Sequence, residues 1–236
     1  MPERDVTWDG FFNARDLGGL PTAGGRSTRP GVLVRSADPR FVTPAGWRAA
    51  RAAGFRTVLD LRNDDEVEGV LAPPGLTRVR VALDHAEDVE FWRYLDETGL
   101  NGTPLYIRPF LARKPERVAA AVTAIARAEP GGVIFHCGAG RDRTGVVAML
   151  LLALAGVAPE VIADDYEESA AWQARLAAAT GREDWSPLIV ESLAGKGHTV
   201  RSAMLDALSG FDAAAYLTAA GVATGDLARL RTLLIT

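Results

Sequence analysis

Short apolar runs alternating with helical periodicity set the expected order of elements. Gly31 to Ser36, Thr57 to Arg62 and Arg78 to Leu83 read as strands, the second mostly apolar and therefore central. Thr43-Pro44 supplies an N-cap and first turn for a helix running to Ala53, stopped by Gly54. Asn63-Asp64-Asp65-Glu66 is a polar loop able to cap a short helix, and Pro73-Pro74-Gly75 is a break. Pro115 to Ala128 is strongly amphipathic, and Glu129-Pro-Gly-Gly132 turns it into another short buried strand from Val133. The apolar run Val146 to Val157 predicts a buried core helix too short to span a bilayer. Pro159 opens a helix through Ala171, Arg182 to Pro187 is a loop, and Met204 to Leu208, Ala213 to Leu217 and Asp226 to Leu234 read as closing helices. Strands separated by helices predict an α/β fold: a mainly parallel central sheet flanked by helices, one domain over residues 1–236.

The segment from Asp84 to Lys114 allows two readings. Glu90 to Leu95 has helical spacing, Gly99 to Pro104 is a loop, and Leu105 to Leu111 is aromatic and exposed-looking. It is either a surface helical hairpin or a helical lid inserted over a site.

Composition narrows the class of protein. Apolar residues make up 48% and charged residues 24% of the 236 positions, as in an ordinary water-soluble globule. A formal net charge of −4 leaves no footprint for nucleic acid or an anionic membrane. The single cysteine excludes an intrachain disulfide and fits a reducing, cytoplasmic setting, and Met1 to Asn13 lacks the apolar core of a signal peptide. Export without such a signal stays open, as does the oligomeric state.

The chemistry concentrates in Val133-Ile-Phe-His-Cys-Gly-Ala-Gly-Arg-Asp-Arg-Thr-Gly145. Cys137 stands where strand becomes loop, and Arg143 follows six positions later at the start of a helix. A loop of that length can curl so that the backbone N–H groups from Gly138 through Ala139, Gly140, Arg141 and Asp142 to Arg143 point at one spot above the sulfur. The helix N-terminus adds partial positive charge there, which suits a tetrahedral oxyanion. Arg143 can grip two oxygens in parallel, as Lys could not. A cysteine in such a field is a nucleophile, and displacement at phosphorus through a phosphocysteine is the reaction implied. Thr144 can hydrogen-bond the sulfur and help it leave, while His136 braces the loop from below. A nucleotide-binding loop would need Gly-Lys-Ser/Thr at the helix start, where this chain has Asp142-Arg143-Thr144.

His-Cys-x5-Arg-Thr-Gly resembles the signature of the cysteine-dependent protein tyrosine phosphatase superfamily. The chain as a whole resembles its bacterial tyrosine and dual-specificity branch, to which mycobacterial protein tyrosine phosphatase B belongs. The resemblance rests on Asn13-Ala-Arg-Asp-Leu-Gly-Gly19, Arg35-Ser36, Val58 to Arg62, His136 to Gly145, Asp164-Asp-Tyr166, and the end from Tyr216 to Arg231. It implies a protein tyrosine phosphatase-like fold, Cys137 as nucleophile, Arg143 as transition-state clamp, no metal and no cofactor. The expected partner is a phosphorylated protein or phosphoinositide. Arg141 stands where the branch commonly has Lys, which keeps a positive charge for a multiply phosphorylated ligand. The general acid is open. Many superfamily members place it thirty to forty residues before the cysteine, where Asp96 falls without a motif; the branch suggests Asp142 or Asp60, and Asp60 can equally be structural. Two other classes compete: an inactive module that only binds phospho-ligands, and a rhodanese-type sulfurtransferase.

Overall fold

The computed structural model describes residues 4–67, 73–181 and 183–236. Five strands form one sheet: β1 (Arg15–Asp16), β2 (Leu33–Ser36), β3 (Phe55–Asp60), β4 (Thr77–Arg80) and β5 (Gly132–His136). Their order is β1-β2-β5-β3-β4, parallel throughout except for β1 at the edge. The helices among the described residues are α1 (Pro44–Ala52), α2 (Val89–Glu97), α3 (Ile107–Arg113), α4 (Pro115–Ala126), α5 (Asp142–Leu154), α6 (Pro159–Thr180), α7 (Ser186–Gly195), α8 (Val200–Leu208), α9 (Ala213–Ala219) and α10 (Thr224–Leu234). None is long and apolar enough to cross a membrane.

Strand alternation divides the core into two layers. Leu33, Leu59, Val133 and Phe135 face the larger cluster, which α4, α5 and the closing helices complete. Val34, Val58 and Ile134 face a smaller one with Phe11, Trp47 and Phe55, over which α1 lies. Phe11 stacks edge-on against both Trp8 and Trp47. Because both faces are covered, β5 reads as a continuous apolar run rather than an alternating one. Thr43 caps α1, its hydroxyl accepting from the Gly46 amide at 3.2 Å, and Gly54 ends the turn at φ +94°.

The structure corrects several expectations. Leu105 to Leu111 is exposed only at Arg108: Tyr106, Ile107, Phe110 and Leu111 form one apolar stripe inside the larger core. Helical spacing of those large side chains gives them a common face, which a reading by composition alone overlooks. Helix α6 runs to Thr180 instead of Ala171; its stop is Gly181, in the left-handed conformation at φ +68°. In the expected loop Arg182 to Pro187, position 182 lies outside the described residues and Ser186 already belongs to α7. Neighbouring strand residues point to opposite faces, so Asp16 accepts from the amides of Gly18 (2.7 Å) and Gly31 (2.6 Å) while Arg15 turns inward.

Phe135 is completely buried beneath the strand end that carries Cys137. Phe135→Ala is expected to cost about 3–5 kcal/mol in urea unfolding, a loss that a surface position would not show.

Candidate active site

The parallel strands end together: Ser36, His136, Asp60 and Arg80 are register partners across β2, β5, β3 and β4. Cys137 is the first residue beyond that edge and is 2% exposed, and α5 begins at Asp142. His136 ties the edge from below. Its carbonyl accepts from the Leu61 amide at 2.9 Å, and its Nδ1 lies 3.1 Å from the Cys137 carbonyl, to which it can only donate. Burial lowers the ring's pKa, with Asp60 opposing, so the imidazole is a neutral brace.

The loop's carbonyls are pinned outward. The Asp38 amide donates to Gly138 O at 3.0 Å. Asn13 Nδ2 donates to Ala139 O and Gly140 O, both at 3.0 Å, while Gln173 Nε2 reaches Ala139 O at 3.0 Å and Arg35 Nη2 reaches Gly140 O at 2.9 Å. With the carbonyls turned away, the amides face the opposite side. Among the described residues, none of the backbone N–H groups from Gly138 to Arg143 donates to a protein acceptor. Gly140 makes the turn possible: its φ is +69°, and a Cβ there would stand 2.6 Å from the Ser36 carbonyl. A run of free amides at a helix N-terminus is an arrangement that can receive an anion.

Behind the loop lies a buried charge cluster. Asp165 of α6 accepts from Arg15 Nε (2.9 Å), Arg35 Nη1 (2.6 Å) and Arg4 Nη1 (2.8 Å), and Ser169 bridges Arg15 and Arg35. Burial alone would raise the Asp165 pKa, but the arginines hold its carboxyl well below the usual carboxylate range. Arg15 also donates to Asn13 Oδ1 at 2.7 Å, fixing the amide that holds the loop. Gly145 allows α5 to press on α6, since a Cβ there would lie 2.5 Å from the Tyr166 ring.

Arg143 is held from two elements that sequence reasoning did not connect to it. Glu66, in the short turn after β3, receives both terminal nitrogens, Nη2 to Oε1 at 2.8 Å and Nη1 to Oε2. Asp84, following β4, places Oδ2 3.2 Å from Nη1. The only sequence signals were the polar run Asn63 to Glu66, read as a cap, and the start of the ambiguous segment at Asp84. Burial pushes the Asp84 carboxyl up; Arg143 opposes, but Glu66 and Asp142 add to the rise and bring it to about 6.

The remaining expected residues divide. Asp142 opens α5, and its oxygens accept from Arg141 Nε at 3.0 Å and from the Tyr166 hydroxyl at 3.2 Å. Arg141 also donates to Gly102 O at 2.8 Å, so its charge is spent within the fold. Asp60 is fully buried and enclosed by Arg62 (2.8 and 2.9 Å) and Arg78. Burial would raise its pKa, yet Arg62 and Arg78 hold it well below the usual range, which leaves it no proton to give near neutrality. The Thr144 hydroxyl, expected against the sulfur, is buried and has no hydrogen-bond partner among the described residues. A neutral thiol is a weak acceptor, whereas a sulfur carrying charge would draw that donor. Asp96 is exposed on α2 and accepts from Asn101 at 2.7 Å, away from this cluster.

The tyrosine phosphatase family model matches residues 6–236. The chain belongs to that family. It is 36% identical over 171 residues to a protein of Cupriavidus necator named as a candidate tyrosine-protein phosphatase, covering 70% of this chain and 63% of that one. It is 33% identical over 145 residues to a tyrosine-protein phosphatase of Nostoc commune, covering 59% and 48%. It is 32% identical over 191 residues to the triple specificity protein phosphatase PtpB of Mycobacterium tuberculosis, covering 68% and 67%. The chain thus spans roughly three-fifths and half the length of the first two relatives.

In this member of the tyrosine phosphatase family, the loop depends on the charge behind it. Asp165→Asn would leave three buried guanidiniums short of their counter-charge. We expect a loss of about 3–5 kcal/mol in denaturant unfolding, with weaker protection of the fold by inorganic phosphate.

Proposed function

We propose that the protein is a phosphomonoester hydrolase that works through a phosphocysteine. The feature that carries the reading is the run of backbone amides from Gly138 to Arg143, without protein acceptors among the described residues, in the loop that Cys137 opens. Phosphoryl oxygens of the ester would take those amides, and Arg143, kept in plane by Glu66, would clamp two of them as negative charge shifts in the transition state. The Cys137 sulfur attacks phosphorus opposite the ester oxygen, forming the S–P bond as the P–O bond breaks. Water then attacks the phosphocysteine, and the S–P bond breaks to release phosphate. The Thr144 hydroxyl is the donor that would stabilise the departing sulfur.

The surroundings of the cradle support a reading of the substrate class. Arg141, the position where a multiply phosphorylated ligand would find its second cation, is engaged by Asp142 and the Gly102 carbonyl. That arrangement favours single phosphomonoesters, phosphotyrosine first, over phosphoinositides. Activity on phosphoserine and phosphothreonine is a broader specificity that the name of the mycobacterial relative suggests. A reducing, cytoplasmic setting suits a catalytic thiol that has no second cysteine in the chain.

A panel of aryl phosphate, phosphotyrosine, phosphoserine and phosphothreonine peptides and soluble phosphoinositides tests both claims against Cys137→Ser. Turnover is expected on aryl phosphate and phosphotyrosine and should vanish in the variant. Binding of phosphopeptide without turnover by the unaltered protein would instead make it a phospho-ligand-binding module.

A further inference from the structure

At the opposite end of the sheet from the cradle, three arginines line one open cavity. Arg48 and Arg51 lie three residues apart on α1 and share an exposed face of it, while Trp47 and Ala50 beside them are buried. Arg56 is the second residue of β3 and the one exposed residue of that strand. The pairing of β3 with β5 slips there: Phe55 faces Gly132 and Thr57 faces Val133, which leaves Arg56 as the extra residue of a bulge. Its stem rests against Gly131. Its Nη1 donates to the carbonyls of Phe55 at 2.7 Å and Arg51 at 2.9 Å, which brings the strand arginine to the end of α1. Gly75, in the left-handed region at φ +70°, lies against the Arg51 guanidinium. Together with Ala52 these residues line a cavity of about 430 Å³.

None of the three guanidiniums meets a carboxylate among the described residues. Exposed arginines elsewhere do: Arg80 pairs with Asp64, Arg113 with Asp88 and Arg127 with Asp226. Three cations around one cavity repel one another until an anion joins them. In a chain of formal net charge −4 the cavity is a local reversal of sign.

We propose that Arg48, Arg51 and Arg56 form a docking groove for an acidic polypeptide segment, rich in Asp or Glu, of a protein that this chain binds. The walls favour that occupant over a free anion. Helix α1 ends here, and the carbonyl end of a helix opposes an anion seated against the backbone. Carboxylates presented from outside, on a chain, meet the guanidinium forks at the rim instead. No aromatic side chain lines the cavity, so recognition is by charge. Arg56 stands at the start of β3, whereas Asp60 closes that strand beside His136, so docking leaves the cradle free.

Fluorescence anisotropy of labelled hexaglutamate with the full chain tests the groove. Binding is expected at low ionic strength and should weaken as salt is added, because the contacts lie at the surface. Arg48→Gln/Arg51→Gln should weaken it by roughly tenfold, through the loss of two exposed ion pairs. Arg48→Lys/Arg51→Lys should keep part of the affinity. Both positions are exposed on a helix that Gln suits, so the variants are expected to fold, which the urea midpoint checks. Hydrolysis of aryl phosphate should be the same in the Gln variant and in the presence of saturating hexaglutamate. An equal loss of binding in Arg93→Gln/Arg113→Gln, which removes two exposed arginines elsewhere, would make the attraction non-specific and overturn the proposal. Inhibition of hydrolysis by hexaglutamate would place the peptide in the cradle and overturn it as well. Failure of hexaglutamate to bind, with tripolyphosphate binding that the Gln variant loses, would make the cavity a site for a free anion instead.

Discussion

A carboxylate buried among three arginines is the constraint on which the site rests. Each of these charges would be costly alone away from water, and their mutual pairing makes the arrangement tolerable. Asp165 comes from α6, Arg4 and Arg15 from the N-terminal segment and β1, and Arg35 from β2. The cluster therefore stitches distant parts of the chain together at one point. From that point hydrogen bonds run outward to the loop, directly from Arg35 and through Arg15 and Asn13, and take up its carbonyls. The loop's amides face the other way for this reason. The conformation of the loop is in this sense held from behind it.

Glycines and strand register complete the arrangement. Gly140 lets the loop back turn against β2, and Gly145 lets α5 approach Tyr166, whose hydroxyl then reaches Asp142. The common end of the parallel strands brings Cys137 to one edge with the residues that follow β3 and β4. Glu66 and Asp84 meet Arg143 there from two different connections. The guanidinium is thereby held by one carboxylate and neighboured by a second, less ionised one.

Much of this was legible beforehand because it is local. The Cys-to-Arg spacing, the glycines within it and the apolar helix after it announce a tight strand–loop–helix turn without reference to the rest of the fold. Strands β3 and β5 showed as mostly apolar runs because both sheet faces are covered there. What escaped depends on pairing across the sheet or along a face. Nothing near Asp84 or Glu66 in the chain marks them as neighbours of Arg143, since β-sheet order alone makes them so. Arg15 and Asp16 are adjacent in sequence yet serve opposite faces. Likewise the burial of Tyr106 and Phe110 follows from helical phase in a segment whose composition suggested the surface, and the true end of α6 lay in a single glycine, Gly181.

The central claim is that Cys137 forms a bond to phosphorus during turnover. Rapid acid quench of the protein mixed with an excess of aryl phosphate, followed by intact mass and peptide mapping, tests it most directly. The account predicts a transient mass increase of one phosphoryl group, located on the peptide containing Cys137 and absent from Cys137→Ser. Steady turnover with no phosphorylated protein at any quench time, or a phosphoryl group on another residue, would contradict it.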